Sequence, residues 1–115
     1  MAVSNTVRRA LRRTAETLTE FAKQNGWKNE DYGIYYWINE DWDKVHIVFV
    51  ARAFDGSNEF ENNVRVREFL ATKLSDEPEL LNSVGLVVRS ERKTKEGGIY
   101  ALGPQYLEFW TMSPA

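Results

Sequence analysis

The sequence predicts an α+β domain: a two-layer sandwich with helices packed on one face of a mainly antiparallel sheet, in the order α-β-β-α-α-β-(β). Three observations predict it. Two segments repeat apolar residues at helical spacing, two consecutive segments between them alternate with period two, and a further strand follows the second helix.

The first helix rests on Val7, Leu11, Thr14, Leu18 and Phe21, which form one stripe at 3.6 residues per turn. Ser4 or Asn5 can cap its start, and Asn25-Gly26 supplies a left-handed stop. Two strands follow, 31–39 and 45–53. In the first, Tyr32, Ile34, Tyr36 and Ile38 alternate with Gly33, Tyr35 and Trp37; in the second, Val45, Ile47, Phe49 and Ala51 alternate with His46, Val48, Val50 and Arg52. The five residues between them, 40–44, are polar and short enough for a hairpin loop. Both faces of the strands carry large apolar groups, so the sheet needs cover on both sides or exposes aromatics.

Asn58 followed by Glu61 matches the pattern that opens a second helix, carrying Phe60, Val64, Val66, Phe69, Leu70 and Leu74. Ser75-Asp76-Glu77-Pro78 ends it and starts a short helix bearing Leu80 and Leu81, with Asp76 as cap and Pro78 in the first turn. Residues 84–89 read as the third strand and 91–98 as a charged loop. Residues 99–102 can pair back as a fourth strand, and 106–112 form a last strand or an irregular tail.

This element order is similar to that of prokaryotic-type KH domains and of BolA-like proteins. A KH domain carries a Gly-x-x-Gly loop between its consecutive helices, where backbone amides approach phosphates. Here Ser75-Asp76-Glu77-Pro78 stands in that place, with two carboxylates and a proline that removes an amide, so phosphate is repelled there.

Composition bounds the function. The 115 residues leave room for one domain, 1–115, and 43% hydrophobic against 28% charged residues is ordinary globular usage. With no cysteine, disulfides, thiolate nucleophiles and Cys-ligated metals are excluded. The first ten residues lack the apolar run of a secretory signal, and no stretch approaches the roughly 20 apolar residues of a membrane span. A cytoplasmic protein with no membrane partner is the expectation. The net charge of -2 conceals a division: residues 1–28 carry +4, residues 29–62 carry -6, and the remainder is neutral. A global basic field for nucleic acid is absent, while a local basic face remains.

That face is Arg8, Arg9, Arg12 and Arg13, four cations at the positive end of a helix dipole, partly offset by Glu16 within reach of Arg12 and Arg13. It reads as a site for an anionic partner or as a solvated surface. Tyr35 and Trp37, facing away from the helices, and Trp42 at the hairpin tip are candidates for partner contact or base stacking. Arg92 and Lys93 offer a second basic patch. Glu40, Asp41 and Asp43 share one loop but lack the spacing and the glycine of a calcium loop, so no metal is expected; no glycine motif announces a cofactor either. His46 is the single histidine, has no carboxylate or nucleophile at a recognisable spacing, and reads as structural.

The leading functional reading is therefore a small protein-interaction or adaptor domain, self-associating or docking through exposed aromatics and oppositely charged patches. The alternative is a nucleic-acid-binding domain using the Arg-rich first helix. The third is a small enzyme with a carboxylate base such as Asp55 or Glu59 near a tyrosine, and the missing catalytic constellation makes a non-enzyme the expectation.

Overall fold

Ser4 opens the first helix, α1 (Asn5–Gln24), by accepting a hydrogen bond from the Val7 backbone N–H at 3.1 Å. The computed structural model describes residues 3–97 and 102–109. Val7, Leu11, Thr14, Leu18 and Phe21 are all buried, as one stripe of an amphipathic helix requires. Gly26, at φ +76°, reverses the chain without the steric cost of a side chain.

The hairpin comprises β1 (Tyr32–Asn39) and β2 (Lys44–Ala51), antiparallel from Tyr32↔Ala51 to Asn39↔Lys44. Lys44 joins the strand, so the loop is one residue shorter than its sequence suggests, and Asp43 takes the left-handed conformation (φ +51°) that Asp tolerates better than most. After a 3-10 turn at Arg52–Phe54, Asn58 caps α2 (Glu59–Lys73) by accepting from the Glu61 N–H. The chain then crosses back into β3 (Val84–Ser90), which lies parallel to β2. A short helix, α3 (Glu91–Glu96), follows directly, and β4 (Leu107–Glu108) pairs antiparallel with β1. The sheet order is β3-β2-β1-β4, a mixed sheet in which two of the three pairings are antiparallel, and the molecule is an α+β two-layer sandwich.

Three local expectations change, and a fourth lies mostly outside the described residues. The stretch after β3 is helical at its start, because Ser90 Oγ accepts from the Lys93 N–H and Glu91 pairs with Lys95 one turn on at 2.9 Å. The segment Pro78–Ser83 is a 3-10 helix, and Asp76 does not cap it because its carboxylate faces Arg13 instead. Phe60 and Val64, expected in the core, lie on the outer side of α2, with Phe60 76% exposed. The proposed strand at 99–102 falls largely outside the described residues, as does the tail beyond Phe109; within 106–109 the strand is two residues long.

The core lies between the helices and the face formed by Ile34, Tyr36, Val45, Ile47, Phe49, Ala51, Leu86 and Val88. Phe21, Trp27, Phe49, Phe54 and Phe69 meet there mostly edge to face, with centroid separations of 5.3 Å for Phe21–Phe69 and 5.4 Å for Trp27–Phe54. Much of the aromatic density after α1 is thus consumed inside the protein.

Candidate functional site

The arginine cluster divides according to helical geometry. Arg9 and Arg13, four residues apart, share the side of α1 that faces the loop after α2. Arg13 Nη1 donates to Glu77 Oε1 at 2.7 Å and to Asp76 Oδ1 at 3.1 Å, and Arg9 contacts the other oxygen of Glu77. Hydrogen bonds to Asp76 and then Glu77 push the Arg13 guanidinium still further up from its ordinary value. The two carboxylates that would repel phosphate are occupied in holding the helix layer together. Glu16, expected to offset Arg12 and Arg13, forms no ion pair with either; Arg13 is drawn to the Asp76–Glu77 loop instead.

Arg8 and Arg12 lie one turn apart on an adjacent side and, with Arg9, border a cavity of about 350 Å³. Among the described residues its remaining lining is Val3, Leu11, Ile38 and Phe109, so three cations stand around an apolar floor. The groove forms where α1 meets the β1–β4 edge of the sheet.

The outer face of the sheet carries Gly33, Tyr35 and Trp37 from β1 beside His46, Val48 and Val50 from β2. These groups largely cover one another. The Tyr35 ring lies over Gly33, where a Cβ would come within 2.8 Å of it. Trp37 stacks on His46 with centroids 5.1 Å apart and planes 18° from parallel. Val48 and Val50 are buried although they point away from the helices. Burial, then the negative charges of Glu108 and Glu91, pushes the Tyr35 hydroxyl pKa up from its ordinary value. Tyr35 and Trp37 are therefore half-buried, and of the three outward aromatics Trp42 alone projects, 74% exposed at the hairpin tip.

Arg92 and Lys93 belong to a different place. They border a second cavity of about 250 Å³ at the carboxyl ends of the parallel strands β2 and β3, together with Gly56, Ser57, Glu59, Asn62, Arg89 and Ser90. The crossover through α2 creates it, since the loop leaving β2 and the end of β3 must lie side by side. Asn62 and Ser90 are buried, Asn62 Nδ2 donates to Ser57 Oγ at 2.8 Å, and Lys93 Nζ lies 3.3 Å from Glu59. Asp55 fixes the start of α3 by accepting from the Arg92 backbone N–H at 2.9 Å. Arg52 and Lys95 flank Glu91 and, with the Lys95 hydrogen bond as the largest cause, hold its carboxyl below the usual range. The two basic segments border separate cavities, which share no residue among those described.

A solved structure shares this fold. The crystal structure described as "a putative nucleotidyltransferase from Sulfolobus solfataricus" superposes with a TM-score of 0.52 at 15% identity, covering 96% of this chain and 91% of that one. No family model matches the sequence, and no curated protein matches it. At that identity the likeness is one of fold, and it agrees with the α+β architecture.

Sequence reasoning missed Ser57, Asn62, Arg89 and Ser90 as lining residues of the second cavity, and Val3, Ile38 and Phe109 at the first. The usable signal for the second cavity was the strand-helix-strand order itself, because ligands in such crossovers gather beyond the carboxyl ends of the strands. Among the described residues, no group of three His, Cys, Asp or Glu side chains is placed to hold a metal ion, and no helix is long and apolar enough to cross a membrane.

Proposed function

We propose that the chain is a binding module for a small phosphate-bearing ligand of the nucleotide class, taken at the cavity between α2 and α3. The observation that carries this reading is the lining: Arg89, Arg92 and Lys93 against the single carboxylate of Glu59, with Ser57, Asn62 and Ser90 as polar neighbours. Cations that include planar guanidinium groups suit phosphate oxygens. Hydroxyl and amide groups nearby suit the sugar or base that accompanies them. The cations carry the site more than the start of α2, where the Glu61 amide is already satisfied by Asn58 and Glu59 and Glu61 add negative charge. The fold likeness to a protein described as a nucleotidyltransferase is in keeping with a nucleotide as the class.

This reading keeps the second basic patch of the nucleic-acid alternative, Arg92 and Lys93, and leaves out the arginines of α1. The adaptor reading retains less support, because Tyr35 and Trp37 cover their own sheet and leave Trp42 as its exposed ring.

Titration with AMP, followed by amide chemical shifts at low salt, tests the proposal. Binding should perturb Ser57, Arg89 and Ser90, weaken as salt rises, and fall at least tenfold in an Arg92→Ala/Lys93→Ala double variant while Trp42→Ala binds normally. Absence of AMP binding at low salt, or shifts confined to α1, would reject it.

A further inference from the structure

We propose that the groove between the first three turns of α1 and the β1–β4 edge is a second ligand site, for a small anionic amphiphile such as a medium-chain alkyl carboxylate. The proposal is independent of the nucleotide reading, since the two cavities share none of the described residues.

The argument begins with an unfavourable arrangement. Arg8 and Arg12 stand one turn apart, about 6 Å along the helix axis, and the first turn of α1 holds no acidic residue to offset Arg8. Like charges so placed destabilise a helix unless an anion joins them. Among the described residues no carboxylate pairs with either one, whereas the neighbouring Arg9 and Arg13 are both engaged by Glu77. Both guanidinium side chains border the same cavity, so an anion that joined them would stand at its wall.

The floor selects the rest of the ligand. Val3, Leu11, Ile38 and Phe109 present no polar side-chain atom, so a sugar or nucleobase there would bury hydroxyl or amide groups without partners. An alkyl or aryl body meets no such penalty and gains from leaving water. A cavity of about 350 Å³ falls within the range that small-molecule sites occupy, roughly 300–1,000 Å³. Charged head and apolar body together define the class, and the arginine pair at a confined groove favours a free molecule over a bilayer surface.

Octanoate, used far below its aggregation threshold, is the probe. Amide shifts should move at Leu11, Ile38 and Phe109, and octanol and acetate should each bind at least tenfold more weakly, since each supplies half of the required chemistry. An Arg8→Gln/Arg12→Gln double variant, altered only at exposed helix positions, should lose at least tenfold in octanoate affinity. The same variant should bind AMP as the parent does, which separates failure here from failure of the nucleotide reading. Equal binding of octanol would show an apolar patch without an anion site and overturn the proposal. So would an unaffected double variant, or sedimentation with phosphatidylglycerol vesicles in the absence of octanoate binding.

Discussion

Thr14 and Thr17 lie on the buried side of α1, and their hydroxyls meet opposite fates. Thr17 Oγ1 donates to the Arg13 carbonyl at 2.7 Å, the back-bond a helical threonine makes to the residue four before it. Thr14 is fully buried and its Oγ1 has no partner among the described residues. A buried hydroxyl without a hydrogen bond costs about 1–3 kcal/mol, and valine has nearly the same shape and a similar helix propensity. Thr14→Val should therefore stabilise the protein by about 1 kcal/mol, a rise of roughly 3–6 °C in thermal midpoint for a chain of this size. Thr17→Val, which removes a satisfied group, should give no such rise. A lower midpoint for Thr14→Val would show that its hydroxyl has a partner after all. Spacing alone places Thr14 in the apolar stripe; which hydroxyl goes unpaired depends on what the sheet sets against the helix, and no local pattern carries that.

Among the elements, β3 shows how α2 does more than cover a core. β3 is an edge strand, and an edge strand offers unpaired backbone groups to any other strand. Two side chains of α2 occupy those groups. Asn63 Oδ1 accepts from the Val88 N–H at 3.3 Å, its Nδ2 lies 3.5 Å from the Val88 carbonyl, and Arg67 Nη2 donates to the Leu86 carbonyl at 2.5 Å. Neither residue belongs to the apolar stripe of α2, and their role depends on the crossover that sets α2 beside the edge. The same holds for α3, whose six residues show no apolar periodicity and are ordered by the Ser90 cap and the Glu91–Lys95 pair. Asn63→Ala/Arg67→Ala should uncover the edge, lowering stability by about 1–2 kcal/mol and producing concentration-dependent association in sedimentation velocity. An unchanged sedimentation profile would show that the edge is protected by other means.

At the scale of the whole molecule, the local signals were legible and the long-range ones were not. Helix α1, the hairpin, α2 and β3 each follow from periodicity within a few turns or a few residues. The parallel pairing of β3, the place of β4 and the division of the arginines follow from contacts between distant segments. The segregated charge, +4 over residues 1–28 and -6 over residues 29–62, is likewise partly neutralised across the fold: Arg13 meets Asp76 and Glu77, and Lys93 meets Glu59. Glu77 is the centre of this exchange, because its half-sheltered carboxylate binds both Arg9 and Arg13, whereas Asp76 is largely exposed. Glu77→Gln should cost about 1–2 kcal/mol, between the small worth of a surface pair and the larger loss when a buried charge is orphaned. The loss should shrink in 1 M salt, where the Debye length is about 3 Å. It should also release Arg9 to the groove it already borders, adding a third uncompensated cation beside Arg8 and Arg12. The variant is thus expected to be less stable in chemical denaturation and to bind octanoate more tightly than the parent. Lower stability with unchanged octanoate affinity would mean that Arg9 stays bound to the loop by Asp76, and that the network of α1 and the groove act separately.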